Sequence, residues 1–105
     1  MATTLATVHR LADKVAIVTG ASSGLGRAIA LAFAANGTRL VVCADINPTV
    51  RSDFGTSDGP APTHELIAKK WGEGKAIFVN TDVTVGKDVE ELVQRAVREG
   101  GRLDM

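Results

Sequence analysis

The sequence predicts an α/β fold built on a doubly wound parallel sheet. Three short apolar runs of strand length alternate along the chain with segments whose apolar residues recur at helical spacing. Such alternation is typical of parallel strands joined by helical crossovers. A glycine-rich turn also separates the first strand from the first helix, as in phosphate-binding βα units. The predicted order is βαβαβα, followed by the start of a fourth strand.

The first strand and the first helix flank the glycine turn. Val15–Thr19 is a continuous apolar run, which predicts a strand buried on both faces. The helix is predicted over residues 24–36 and ends there because Gly37 is a natural left-handed terminator. Its apolar residues fall on one helical face: Leu25, Ala28, Ile29, Ala32 and Phe33.

The second strand is predicted over residues 39–44 and ends at Asp45, with Cys43 as a small apolar filler inside it. Residues 46–62 are rich in Pro, Gly, Ser and Asp. They predict a loop that is longer than most connections in compact domains. Phe54 is expected to attach this loop to the body of the protein.

A short helix is predicted next, over Thr63–Trp71. Thr63 is its expected N-cap, because a threonine hydroxyl can accept a hydrogen bond from an unpaired N–H group of the first turn. Leu66 and Ile67 are expected to face the core, and His64 is expected to face solvent.

A third strand and a third helix complete the predicted order. The strand covers residues 75–80, and the helix covers residues 86–99 with Thr84 as its cap. Residues 102–105 are expected to lead into a fourth strand. The helix carries five apolar residues at helical spacing: Val89, Leu92, Val93, Ala96 and Val97.

Composition limits the partners of the protein. The formal net charge is zero, from 12 basic and 12 acidic residues, which argues against nucleic acid or an anionic membrane surface as the main partner. No apolar run reaches the roughly 18 residues of a membrane span, and the N-terminus lacks the apolar core of a secretory signal. We therefore expect a cytoplasmic protein. The single cysteine and the lack of ligand spacing predict no metal site.

The glycine turn and one acidic residue together predict a dinucleotide site. Gly20 can form the tight turn out of the strand, while Gly24 and Gly26 let the backbone and the helix start approach a phosphate closely. Asp45 follows the last glycine by 45 − 26 = 19 residues, where a carboxylate can accept hydrogen bonds from ribose hydroxyls. It would also repel a 2′-phosphate by about 1–4 kcal/mol at 4 Å. The alternative is that Asp45 only caps the turn after its strand.

The motif itself identifies a family resemblance. No G-K-[S/T] follows the glycines, which excludes a nucleoside-triphosphate P-loop. The run from Thr19 to Gly26, TGASSGLG, resembles the T-G-x-x-x-G-x-G cofactor motif of the short-chain dehydrogenase/reductase family. Asp82-Val83 resembles the family's Asp-Val pair, and residues 101–104 resemble the segment before its fourth strand. The resemblance implies a Rossmann-type fold, with a lead-in over residues 1–12 and a partial dinucleotide-binding domain over residues 13–105.

The resemblance also implies roles for individual residues. The glycines form the pyrophosphate turn, Ser22 and Ser23 line the adenosine ribose side, and Leu25 sits over the cofactor. Asp45 selects NAD. Members that prefer NADP usually carry a basic residue just before the second glycine, where this chain has Ser23, so both features point to NAD. Arg51 is a weaker candidate for holding a 2′-phosphate. The full set of cofactor-binding residues is Gly20, Ser22, Ser23, Gly24, Leu25, Gly26, Asp45, Ile46, Asp82 and Val83.

The family's chemistry is hydride transfer between nicotinamide and an alcohol or ketone carbon. Its proton is handled by a Tyr in Tyr-x-x-x-Lys, helped by a Ser and an Asn. This chain has no tyrosine, so no catalytic residue is assigned to it. The family's Asn-Asn-Ala-Gly motif would begin a few residues after Met105, and its sheet order places the first strand between the second and the fourth.

Three hypotheses follow from this resemblance. The chain is expected to be the NAD-binding part of an oxidoreductase that acts on a small-molecule alcohol or ketone in a full-length form. Alternatively, it is a short protein that binds NAD through the adenosine half without catalysis. The third hypothesis is an interaction protein derived from the family, which pairs with a full-length relative.

Overall fold

The computed structural model describes residues 11–49 and 61–105, and six regular elements lie in that part of the chain. Each predicted helix and strand is confirmed, with ends that differ by at most one residue. The predictions for Phe54 and Arg51 lie outside the described residues, as does most of the lead-in. In chain order the elements are β1 (Val15–Thr19), α1 (Gly24–Ala35), β2 (Leu40–Asp45), α2 (Thr63–Trp71), β3 (Ala76–Asn80) and α3 (Gly86–Gly100).

The three strands form one parallel sheet in the order β1-β2-β3. Cys43 of β2 lies opposite Val18 of β1 on one side and Phe78 of β3 on the other. Because β2 is central, its residues Leu40 to Ala44 are all buried, whereas the side chains of β3 are only partly buried.

Helices cover both faces of the sheet, which confirms the doubly wound architecture. Side chains alternate along β2. Val41 and Cys43 belong to a core cluster that contains residues of α1 and α2. Val42 and Ala44 belong to a second cluster that contains Leu92 of α3. Two helices therefore lie on one face and the third on the other.

The end of the chain adds to the sheet beside β1. The backbone N–H groups of Asp104 and Met105 donate to the Val15 carbonyl at 2.9 and 3.2 Å, and the Ile17 N–H group donates to the Met105 carbonyl at 2.7 Å. The Asp104 carboxylate accepts a further bond from the Val15 N–H group at 2.9 Å. β1 thus lies between β2 and this terminal segment, as the family's sheet order implies.

Helix α1 packs through a different face from the one that its larger apolar residues mark. Leu25 is 77% exposed and Ile29 is 36% exposed, whereas the helix buries Arg27, Ala30 and Ala34. Alanine side chains allow the helix backbone to approach the sheet closely, and the glycine turn fixes the rotation of the helix. Ala30 and Ala34 are therefore the buried core residues of α1, while Leu31 and Phe33 are only partly buried against that core.

Helix α3 shows the same effect in a weaker form. It buries Leu92, Ala96 and Gly100, while the three valines of the predicted face stay between 36% and 43% exposed. Its N-cap is Val85, so the prediction of Thr84 as the cap is wrong. Thr84 lies one residue before this cap, and its hydroxyl donates to the Asp82 carboxylate at 2.6 Å.

Helix α2 buries Leu66 and Ile67, as predicted. Thr63 is its first residue and Pro62 its N-cap, so the prediction of Thr63 as a cap is wrong. The Thr63 hydroxyl donates to the Ala21 carbonyl on the neighbouring element instead. His64 is half-buried, because its ring stacks at a tilt on Phe78 with 5.6 Å between centroids.

None of the helices described is both long and apolar enough to cross a membrane.

Cys43 is a buried filler, as predicted. Burial raises the pKa of its thiol to about 12, which outweighs the opposite effect of the nearby Arg27 charge. A thiol that stays protonated in the core is not a nucleophile.

Two glycines of α3 are predicted to respond oppositely to alanine. A Cβ at Gly100 would lie 2.8 Å from both methyl groups of Val15, whereas a Cβ at Gly86 would meet nothing within 4 Å. Gly100→Ala should therefore lower the free energy of unfolding by about 1–3 kcal/mol. Gly86→Ala, the matched control, should raise it by about 0.4–1 kcal/mol. Urea unfolding measures both, and equal effects would contradict the packing described.

The contact between Asp104 and β1 is predicted to make stability depend on pH. Hydrogen bonds from the Val15 N–H group and from Arg102 hold the pKa of Asp104 below its ordinary value of 3.8. The ionised carboxylate thus favours the folded state, and this stabilisation is present above pH ~4 and lost as the pH falls through the folded pKa.

The test compares the wild type with Asp104→Asn by urea unfolding at several pH values. We expect the variant to be less stable near pH ~7, with a difference that shrinks in acid as the wild-type carboxyl becomes protonated. A difference that does not change with pH would contradict this account.

Candidate functional site

The turn between β1 and α1 needs glycine at three positions for two different reasons. Gly20 and Gly24 have φ angles of +65° and +60°, in the left-handed region that favours glycine. A Cβ at either position would meet nothing within 4 Å, so the turn opens to solvent there. A Cβ at Gly26 would lie 2.0 Å from the Gly20 carbonyl oxygen. The helix therefore starts directly against the turn only because residue 26 has no side chain.

The start of α1 presents backbone N–H groups at this open turn. The first N–H groups of any α-helix have no acceptor within the helix, and they carry the positive end of the helix dipole. The N-cap residue, Ser23, is extended at φ −155° and makes no side-chain capping bond. Leu25 stands almost fully exposed above this end of the helix. The geometry suits a bound anion.

The Asp45 carboxylate lies against the turn. One oxygen accepts a hydrogen bond from the Ser22 N–H group at 3.0 Å, and the other accepts one from the Ile46 N–H group at 2.7 Å. Asp45 therefore caps the turn after β2 and also holds the glycine turn. An ionised carboxylate has about four acceptor positions, so it can still accept bonds from a ligand.

A cleft of about 300 Å³ opens at the carboxyl ends of the three strands. This edge is where open parallel α/β sheets bind ligands. Ile46 and Val83 project exposed apolar side chains there. The cleft combines a carboxylate acceptor with an apolar rim, and its lining residues are Thr19, Gly20, Ala44, Asp45, Ile46, Thr81, Asp82, Val83 and Thr84.

Asp82 supplies a second carboxylate in the cleft. The Thr84 hydroxyl and N–H group donate to one of its oxygens, and these bonds hold the pKa of Asp82 below its ordinary value. The Asp82 N–H group donates to the Asp88 carboxylate at 3.0 Å. Asp82 is therefore an ionised acceptor in a fixed orientation.

The structure places the ten predicted site residues at one edge of the sheet, in two adjoining groups. Five of them line the cleft: Gly20, Asp45, Ile46, Asp82 and Val83. The others lie on the turn or the first turn of α1: Ser22, Ser23, Gly24, Leu25 and Gly26. Ser22 is only 4% exposed and contacts Asp45 through its backbone.

Four cleft residues were not predicted as site residues: Thr19, Ala44, Thr81 and Thr84. Thr19 ends β1, Ala44 is the last residue but one of β2, and Thr81 and Thr84 follow β3 within four residues. In a parallel sheet all such positions meet at one edge, so strand ends in sequence could have identified them. The residue types alone could not have identified these four cleft residues, because threonine and alanine occur in every part of the chain.

One other groove on the described surface does not suggest an anion-binding site. A groove of about 460 Å³ beside α3 is larger than the cleft, but mixed charges line it, among them Glu91, Arg95 and Glu99. It lies away from the glycine turn.

No cluster of three or more His, Cys, Asp or Glu side chains that could hold a metal ion occurs in residues 11–49 and 61–105.

Known proteins resemble this chain in both sequence and fold. A relative from Penicillium roqueforti, the short-chain dehydrogenase anuF, is 41% identical over 95 residues, which cover 86% of this chain and 30% of the relative. The crystal structure of hydroxysteroid dehydrogenase from Escherichia coli matches with a TM-score of 0.71 and 31% identity, over 90% of this chain and 34% of that one.

A third match holds a bound cofactor. The 3-ketoacyl-(acyl-carrier-protein) reductase from Brucella melitensis, solved in complex with NADH, matches with a TM-score of 0.66 and 31% identity, over 90% of this chain and 32% of that one. The chain spans about a third of the length of the curated relatives that it matches. The family model for short chain dehydrogenases matches residues 14–105. With that match over most of its length, the chain belongs to the short-chain dehydrogenase family of oxidoreductases.

Proposed function

We propose that this chain binds NAD as the adenosine-side part of an oxidoreductase. The observation that carries the proposal is the open glycine turn with the Asp45 carboxylate hydrogen-bonded to it at 3.0 Å. An anion site and a hydroxyl acceptor then lie side by side, which is the combination that a dinucleotide requires.

The residues fit the diphosphate of such a ligand. The positions where Cβ atoms of Gly20 and Gly24 would project are empty, so a phosphate oxygen can approach the backbone there. The N–H groups at the start of α1 can donate to it, and the helix dipole favours its negative charge. No lysine is needed, in contrast to a nucleoside-triphosphate P-loop.

The cleft fits the adenosine. Asp45 has acceptor positions left for the ribose hydroxyls after its two backbone bonds. Ile46 and Val83 offer an apolar surface on which an adenine ring can rest. The Asp82 side chain lies beside this apolar surface, and the hydrogen bond from Thr84 fixes its orientation. Each of these contacts comes from the end of a strand, so the rigid sheet sets their spacing.

We propose NAD rather than NADP as the ligand. A 2′-phosphate placed near the Asp45 carboxylate would meet a like charge, at a cost of about 1–4 kcal/mol for charges 4 Å apart near a protein surface. The position before the second glycine, Ser23, carries no positive charge that would offset this repulsion. The structure of the Brucella reductase with NADH supports a nicotinamide cofactor without distinguishing the two.

The bound cofactor would supply hydride transfer to or from an alcohol or ketone carbon. The residues of this chain bind and orient its adenosine half and keep its diphosphate on the turn. We propose that the 105-residue chain alone does not catalyse, because the family resemblance assigns proton transfer to a tyrosine and the sequence has none. The substrate is a small-molecule alcohol or ketone in a full-length form.

NAD is predicted to bind saturably to the purified chain, and the binding should depend on Gly26. Gly26→Ala brings a Cβ within 2.0 Å of the Gly20 carbonyl oxygen and must displace the turn. We expect the Gly26→Ala variant to bind NAD at least tenfold more weakly than the wild type, as measured by isothermal titration calorimetry. Gly86→Ala, the same substitution at an open helical position, should bind as the wild type does. Lack of saturable binding by the wild type at ~1 mM NAD, taken as a weak-binding limit, would refute the proposal.

Asp45 is predicted to set the preference between the two cofactors. Asp45→Asn removes the charge that repels a 2′-phosphate and keeps the shape of the side chain. We expect the ratio of NADP to NAD dissociation constants to fall about tenfold, because a change of about 1.4 kcal/mol corresponds to that factor. The control is Asp13→Asn, which makes the same charge change at an exposed residue before β1. An unchanged ratio in Asp45→Asn would exclude this carboxylate as the selector.

A further inference from the structure

A buried hydrogen-bond network lies behind the glycine turn, on the side away from the cleft. Its members are Arg27 of α1, Thr63 of α2 and the backbone of Ala21, which are 3%, 2% and 0% exposed. The family motif covers Ala21, but no role is predicted for Arg27 from the sequence, and Thr63 is predicted only as a helix cap. Side chains 36 residues apart in sequence thus meet beneath the candidate site.

Thr63 is the centre of the network. Its hydroxyl donates to the Ala21 carbonyl at 2.7 Å and accepts from the Arg27 guanidinium at 2.9 Å. The same guanidinium nitrogen, Nη1, also donates to the Ala61 carbonyl at 2.8 Å. A hydroxyl has one proton to donate, so the Thr63 proton is committed to Ala21.

The network determines where the turn can lie. Ala21 stands between Gly20 and Ser22, and its N–H group donates to the Ala44 carbonyl at 3.2 Å. The two peptide groups that flank the Cα atom of Ala21 are therefore held, one from β2 and the other from α2. The N–H groups of this turn and of the start of α1 can face a diphosphate only while Ala21 keeps that position.

We propose that Thr63 and Arg27 are positioning residues for the diphosphate turn, which they hold from the core side without contact with the ligand. The inference rests on the proposed dinucleotide function and assigns a specific role within it. The network touches the turn and α2 but not Asp82 or Val83, which come from the end of β3. Asp45 borders the same turn through the Ser22 N–H group, but its bond from the Ile46 N–H group does not involve the network. Loss of the network should therefore lower the affinity for ligands that carry a diphosphate more than it lowers the affinity for adenosine.

The test uses Thr63→Val, which keeps the size and branching of the side chain but removes the hydroxyl. Dissociation constants for ADP-ribose and for adenosine are measured by calorimetry on the wild type and on the variant. We expect the affinity for ADP-ribose to fall about three- to tenfold, as for the loss of one buried hydrogen bond. The affinity for adenosine should change by less than twofold. Thr63→Ser, which restores the hydroxyl, should recover the affinity for ADP-ribose.

Thr38→Val is the matched control for a purely structural effect. Thr38 is also buried, and its hydroxyl donates to the Phe33 carbonyl at 2.5 Å near the far end of α1. This variant should lose stability but keep the wild-type ratio of the two affinities. Thermal unfolding of each variant verifies that it is folded at the temperature of the titration.

The outcomes distinguish a failure of the proposed dinucleotide binding from a failure of the positioning role alone. If the wild type binds neither ligand, the proposed function fails, and this inference fails with it. If the wild type binds ADP-ribose and Thr63→Val binds it equally well, only the positioning role is overturned. A loss that is equal for ADP-ribose and adenosine, or that Thr63→Ser does not recover, would also overturn it.

Discussion

Helix α1 can begin against the Gly20 carbonyl only because residue 26 lacks a side chain, and this close approach organises the site. A Cβ at that position would need space that the Gly20 carbonyl oxygen already fills. With the helix seated there, its rotation is fixed. Ala30 and Ala34 then face the sheet, Leu25 faces solvent, and the helix N-terminus points at the open turn. One missing side chain thus determines both the packing of the helix and the direction of its dipole.

The turn is then held by three hydrogen bonds, two from the end of β2 and one from α2. The Asp45 carboxylate binds the Ser22 N–H group from the end of β2, and the Ala44 carbonyl accepts from Ala21. The Thr63 hydroxyl holds the Ala21 carbonyl from the core side. Each of these contacts joins residues far apart in sequence. The turn is therefore a rigid part of the sheet and not a mobile loop placed on top of it, which suits a site that must bind a diphosphate without reorganising.

The order of the elements could be read from the sequence because it depends on local features. Apolar runs of strand length, helical spacing and the terminator Gly37 all act within a few residues. The same holds for the glycine turn and for the distance from Gly26 to Asp45. The helix faces were harder. Hydrophobic spacing selects large apolar residues, whereas the buried residues of α1 are Arg27 and two alanines, and α3 buries Leu92 together with Ala96 and Gly100.

Backbone propensity and side-chain chemistry at fixed spacing specify the α/β class, the strand–turn–helix unit and the residues that gather at the site, so all three can be predicted from the chain. The partner that each polar group takes depends on how the elements pack in three dimensions. Thr63 is the first residue of α2 and not its N-cap, and its hydroxyl accepts from the Arg27 guanidinium and donates to the Ala21 carbonyl. Asp45 reaches Ser22 because β1 and β2 lie side by side in register. Such pairings depend on distances through space, which no local pattern in the chain records.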